Sequence, residues 1–239
     1  MKRKLDVSSS KQAFSRLELA AVLAALGLLA GIALPGLASS KLRSEQVMCL
    51  SNLRQVGHAA HLWANEHMDR TAWATPENEG GTRGSTNVFK QNPWFQVGWM
   101  SNELVTPKIL VCPSDQVGSP RKMANDFSNR PGGFFNPGFK NNSLSYVVGL
   151  HAQFELSWSV LSGDRNIRWD SVNGACALGL LNVESINRGR GSRVSWTNSI
   201  HGLTGNILLS DGSVEELSTP GLRRIEIVGD NDDHLLGIP

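Results

Sequence analysis

Cysteine is scarce in this chain of 239 residues, with only Cys49, Cys112 and Cys176. That excludes a disulfide scaffold but permits one bridge in a domain outside the cytoplasm. Charge of one sign is lacking too. Lys and Arg number 23 against 21 Asp and Glu, and the surplus sits at the extreme N-terminus, where Lys2, Arg3, Lys4 and Lys11 outnumber Asp6. Without residues 1–13 the remainder is slightly negative. No basic face is on offer to nucleic acid, and RGRGSR (Arg188 to Arg193) reads as a solvated loop. The common catalytic templates are missing: there is no G-x-S-x-G, P-loop, H-E-x-x-H or dinucleotide fingerprint. No repeat or low-complexity tail is present either. What remains is an ordinary globular balance, 40% hydrophobic and 18% charged, with six of the seven Trp beyond residue 70 and enough chain after Ser40 to bury a core.

One long uncharged segment is present. Leu19 to Ala38 is a run of twenty residues without charge, about the length of a helix that spans a bilayer core. Lys2, Arg3, Lys4, Lys11 and Arg16 precede it, so the positive-inside rule keeps the N-terminus in the cytoplasm and exports the chain beyond Ser40. Pro35 removes a backbone donor within the run and loosens the preceding turn. Helical periodicity continues from Ser39 to His67, with Leu42, Gln46, Leu50, Leu53, Gly57, Ala60 and Ala64 spaced by three or four, and Val56, Ala59 and Trp63 widening that face. The expected fold class is α+β: a long N-terminal transmembrane or core helix, from Phe14 to about Glu66, packed on a C-terminal antiparallel sheet. Glu18 is the anomaly, because a carboxylate entering hydrocarbon needs a partner or a reason. An uncleaved anchor and a signal peptide cut after the small-x-small pair Gly36 and Ala38 both leave it without one.

The stretch Ala13-Phe14-Ser15-Arg16-Leu17-Glu18 resembles the prepilin signature of type IV pilins and type II secretion pseudopilins, with Ala13 where that family more often has Gly. The resemblance implies that a prepilin peptidase cuts between Ala13 and Phe14 and methylates Phe14. Residues 1–13 are then a leader, 14–38 a transmembrane and filament-core helix, 39–67 its continuation and 68–239 an exported pseudopilin-like domain. Glu18 would neutralise the amino terminus of a neighbouring subunit and so fix register, and Pro35 stands where pilins carry proline. The stretches CLSNLRQVGHAAHLWANEH, LVCPSD, SGDRNI and HGLTGNILLSDGSVEEL are similar to those of a pseudopilin-like subfamily of planctomycete and verrucomicrobial bacteria. That group is named for its H-x9-D-G element, here His201, Asp211 and Gly212. The implied protein is structural, not an enzyme. Its implied partners are the peptidase, other pilin or pseudopilin subunits and an inner-membrane secretion platform, and its implied location is the bacterial inner membrane, single-pass, with the domain periplasmic or extracellular. Major pseudopilins bind calcium in a loop, which raises calcium near Asp164 or Asp211, although no D-x-D-x-D spacing fixes it.

Several residues have readings of their own. Asp211-Gly212 is the dipeptide of a two-residue type I′ hairpin, with positive φ at both positions and Leu209 facing Val214 across the turn. His201 is expected to bond a loop carbonyl or the Asp211 carboxylate, and the sharper alternative is a His-Asp site. Cys49 and Cys112 are a candidate bridge stapling the long helix to the loop after TPKILV, whereas Cys176 reads as a small buried hydrophobe. Asp164 and Arg165 suggest a loop salt bridge. GDNDDH (Gly229 to His234) is an acidic cluster near the chain end. A rival reading is a membrane-anchored periplasmic binding or enzymatic domain that uses a pilin-type export signal, with His201 and Asp211 in its site.

Overall fold

The computed structural model describes residues 15–87, 92–115, 121–169, 183–187, 194–225 and 233–238. Ala13 and Phe14, Cys176, the stretch 188–193 and residues 229–232 lie outside them. The helix α1 runs over Arg16–Glu66. It starts where it does because Ser15 and Glu18 cap each other: the Ser15 hydroxyl accepts from the Glu18 N–H at 3.2 Å, and the Glu18 carboxylate accepts from the Ser15 N–H at 2.9 Å. This capping box occupies two donors that an α-helix start leaves without internal partners. The helix stops after Glu66 because Met68 and Asp69 turn to φ of 57° and 55°, and the Asp69 N–H donates back to the Ala64 carbonyl at 2.9 Å.

The chain divides into two compact units, Met1–Arg43 and Ser44–Pro239. In the first, Leu17, Leu23, Leu28 and Ile32 are exposed. The second is built on the later turns of α1, where Cys49, Leu53, Val56, Ala59, Ala60, Trp63 and Ala64 are buried at helical spacing, while Arg54, Gln55, His58 and Leu62 face outward. A face of this breadth is what a helix laid on a sheet requires.

After α1 come the short helices α2 (Pro93–Trp99) and α3 (Ser101–Leu104). The strands follow in chain order: β1 (Tyr146–Gly149), β2 (Val160–Asp164), β3 (Ile167–Trp169), β4 (Val183–Asn187), β5 (Val194–Trp196), β6 (Thr204–Leu209) and β7 (Val214–Ser218). A last helix, α4 (Thr219–Leu222), precedes β8 (Asp233–Gly237). Six strands form one antiparallel sheet in the order β4-β8-β1-β2-β6-β7, and β3 pairs with β5 apart from it.

Side-chain alternation buries both faces of the central strands. Tyr146, Val148, Leu161 and Leu208 join the α1 residues in one core, whereas Val147, Val160, Ile207 and Leu236 join Trp196 and Leu222 in another. The helix lies against β6 at Gly57, where an added Cβ would lie 2.9 Å from Leu208 Cδ1. Any side chain there would have to displace the Leu208 methyl.

Two expectations need correction. The fold class led by a transmembrane helix does not hold: among the described residues no helix is long and apolar enough to cross a membrane. The part of α1 that packs on the sheet is the stretch from Cys49 to Ala64, whose outer face carries Arg54, Gln55 and His58 beside Leu62, and the exposed leucines before Arg43 belong to the other unit. What stands is a small α+β protein with an antiparallel sheet.

The hairpin joining β6 to β7 also differs. Only Gly212 has positive φ, at 85°, and Val214 pairs with Leu208 rather than Leu209. The Gly212 N–H donates to the Leu209 carbonyl at 3.0 Å, and the Leu209 N–H donates to the Ser213 carbonyl at 2.9 Å. The Asp211 carboxylate accepts from the Ser213 N–H at 2.8 Å. That side-chain turn stabilises a loop one residue longer, with glycine alone in the left-handed position.

Candidate functional site

Three sequence-distant pieces meet beside the later turns of α1. The first is the turn after Leu110. There Cys112 is joined to Cys49 by a disulfide, with the Cα atoms 4.9 Å apart, and the Asp115 N–H donates to the Cys112 carbonyl at 2.9 Å. Closing an interval of 63 residues is worth about 4 kcal/mol in the chain-entropy account. The second piece is the end of β2, where Asp164 is fully buried. The third is the loop before β6, which turns through Gly202 and Leu203 at φ of 62° and 67°. It is pinned by the Thr204 hydroxyl donating to the His201 carbonyl at 2.7 Å.

These pieces bring the His201 side chain, only 3% exposed, to the centre. Its Nε2 lies 3.4 Å from Asp164 Oδ2 and 3.5 Å from Cys112 Sγ. Asp164 Oδ2 also accepts from the Asn206 backbone N–H at 2.7 Å and from Asn206 Nδ2 at 2.8 Å, while Asp164 Oδ1 has no hydrogen-bond partner. Burial pushes the Asp164 carboxyl up to about 7. The Asn206 donors oppose that rise, and the negative charges of Asp115 and Glu216 add to it. Burial likewise pulls His201 below its ordinary value, against the upward pull of Glu216 and Asp115. Both groups are thus driven toward their neutral forms, as a dry site demands.

Arg165 turns away from Asp164. Its Nε and Nη2 donate in parallel to the two oxygens of Asp115, each at 2.7 Å, in the bidentate geometry that makes an Arg–carboxylate pair strong. Arg121 adds a longer contact to Asp115 at 3.4 Å and donates to the Asn141 carbonyl at 2.7 Å. The expected Asp164–Arg165 loop pair is therefore replaced by two interlocked contacts, Arg165 with Asp115 and Asp164 with His201. Asp164 is the last residue of β2 and Arg165 lies in the bend that follows, its N–H bonded to the Ser145 carbonyl at 3.1 Å, so the two side chains are set by different local backbones.

The expected partner of His201 is also displaced. Asp211 lies exposed at the far end of β6, its backbone N–H bonded to the Ser157 carbonyl at 3.4 Å, so His201 and Asp211 form no common site. Around Asp164 Oδ2 the neighbours are two Asn206 nitrogens and an imidazole, not the six or more oxygens of a calcium shell. Glu18 and Pro35 lie on α1, Pro35 within its helical span and Glu18 in its first turn.

Sequence reasoning missed Asp115 as the partner of Arg165, Asn206 as the partner of Asp164, and the Ser15 cap. Only the cap had a local signal, the S-x-x-E pattern ahead of an apolar run. The other partners are separated by 42 and 50 residues and carry no periodicity. Fold and site together define the class: a disulfide-stapled α+β domain with a buried His-Asp cluster. The chain matches no family model, no curated protein and no solved structure.

Proposed function

We propose that this chain is a pilin-like subunit of a type II secretion pseudopilus or a related type IV filament, inserted in the bacterial inner membrane and processed by a prepilin peptidase. The observation that carries the reading is the sequence Ala13-Phe14-Ser15-x-x-Glu18 set between basic residues and the uncharged run. Support comes from the cluster described above: Asp115, Asp164 and His201 are buried and are held by Arg165, Asn206 and one another, an arrangement that suits a structural element. The disulfide suits an exported domain, since such bonds persist in oxidising compartments. Other subunits and an inner-membrane platform are the partners of such a protein, and the chemistry of processing belongs to the peptidase.

Intact mass of the mature chain tests this. Expression with the peptidase should yield a chain beginning at N-methylated Phe14, and expression without it should yield the full precursor. A mature chain beginning at Ser39, or a precursor indifferent to the peptidase, would sink the proposal.

A further inference from the structure

Away from the buried cluster, the turn that ends α1 and the loop between β1 and β2 enclose a cavity of about 290 Å³. The apolar part of its lining is Ala74, Ala152 and Leu156, and two carboxylates, Asp69 and Glu155, share the lining with them. Both acids are exposed, and neither has an ion pair or a side-chain hydrogen bond among the described residues. The one cation in the lining is already engaged: Arg70 Nη1 meets Glu79 Oε2 at 2.7 Å, and Arg70 Nη2 donates to the Met68 thioether at 3.3 Å. The walls are fixed in place, since the Ala152 N–H donates to the Gly149 carbonyl and the Gln153 N–H to Ser159 Oγ, each at 3.0 Å. Such a wall has little order left to lose on binding. Met68, next to Asp69, is 72% exposed, and Trp158, two residues beyond Leu156, is 41% exposed. Large apolar side chains left in water beside a pocket mark a surface that meets another protein.

We propose that this cavity is a docking site for one arginine side chain presented by a protein partner, with its methylenes on Ala152 and Leu156 and its guanidinium bonded by Asp69 and Glu155. The volume lies at the lower end of the range of about 300–1,000 Å³ that takes a drug-sized ligand, so it suits a single side chain. Two unanswered carboxylates select a cation, and the apolar lining selects one carried on a hydrocarbon stem. Arginine fits better than lysine, because its planar fork offers donors to two carboxylates at once. It is also among the residues that most often anchor protein interfaces. Nothing in this site depends on processing of the N-terminus, so its test is separate from that of the filament reading.

The test titrates the full chain in detergent with three probes and follows the backbone amide resonances of residues 69–74 and 152–156. The probes are Nα-acetyl-arginine amide, its uncharged analogue Nα-acetyl-citrulline amide, and the tripeptide acetyl-leucyl-arginyl-leucine amide. The arginine amide should shift those resonances saturably and the citrulline amide should not. The tripeptide should bind about tenfold more tightly than the arginine amide, because its leucines can reach Met68 and Trp158. Asp69→Asn and Glu155→Gln should each weaken the tripeptide by about fivefold or more. Both sites are exposed, and asparagine tolerates the left-handed backbone at 69, so the remaining amide resonances should stay where they are. No saturable shift, an equal response to the citrulline amide, or unchanged affinity in both variants would overturn the proposal. Equal affinity for the arginine amide and the tripeptide would overturn it as well, by marking a site for small cations only. So would dimerisation of the wild type that Asp69→Asn abolishes, since the arginine would then belong to a second copy.

Discussion

Under the proposed function Glu18 has two demands to answer, a cap within its own chain and a charge for a neighbouring subunit. Within its own chain it accepts from the Ser15 N–H, so the carboxylate has a partner before any neighbour arrives. Glu18→Gln separates the two roles, because the amide oxygen still accepts that bond while the charge is gone. The variant should keep the helix content of the wild type by circular dichroism yet fail to assemble into filaments, whereas Glu18→Ala should also fray the first turn, at about 1 kcal/mol. Assembly of Glu18→Gln at the wild-type level would mean that capping alone explains the residue. Asp115 is the other residue on which much depends. It is fully buried between two guanidinium groups, and removing one member of such a set leaves charge without compensation. Asp115→Ala should cost about 3 kcal/mol or more in urea unfolding, and a loss under about 1 kcal/mol would show that Arg121 and Arg165 find water instead.

The elements differ in how far the sequence announces them. The buried face of α1 is legible, since Leu53, Val56, Ala60 and Trp63 recur at helical spacing and are the residues that pack. The position of the β6–β7 hairpin is legible from Asp211-Gly212, but its register is not. The Asp211 side chain bonds Ser213 and shifts the pairing by one residue, a local competition that the dipeptide alone does not resolve. The polar cluster is the least legible part. His201 meets Asp164 and Asp115 meets Arg165 only because β2, the Cys112 turn and the loop before β6 converge, and tertiary convergence leaves no periodic trace. Gly57 belongs between these cases: a glycine on a helix face hints at close approach, but only the fold names Leu208 as the neighbour. Gly57→Val would push a branched side chain into that contact. It should destabilise the domain by about 1–3 kcal/mol, read as a lowered thermal midpoint, and an unchanged midpoint would mean that the helix can lift from β6 without loss.

For the whole molecule, the buried cluster ties stability to pH in the disulfide form. The folded protein holds the Asp164 proton up to about pH 7, against an ordinary value of 3.8, so between these limits the folded state binds the proton more tightly than the unfolded chain. Stability from this group is therefore lost as pH rises through that window. His201, lowered from 6.5 by burial, acts in the opposite sense, because its protonation favours the unfolded chain as pH falls. Asp164→Asn removes the first effect and keeps the second. Relative to wild type, the variant should gain up to about 1.4 kcal/mol per pH unit between about pH 4 and 7, measured from urea midpoints across the range. A difference that stays constant with pH would show that the carboxyl is not held protonated.

The covalent path through the molecule differs from its sequence path. With Cys49 bonded to Cys112, tension entering the domain along α1 leaves the helix at Cys49, crosses the sulfur bridge and continues along the chain from Cys112 toward β1. Residues 50–111, including the helical face that fills the core, stand outside that path as a slack loop. The packing surface of α1 is thereby relieved of any pull on the helix ahead of it. A force strong enough to draw on the chain would reach the sheet before it could peel away the helix that covers it.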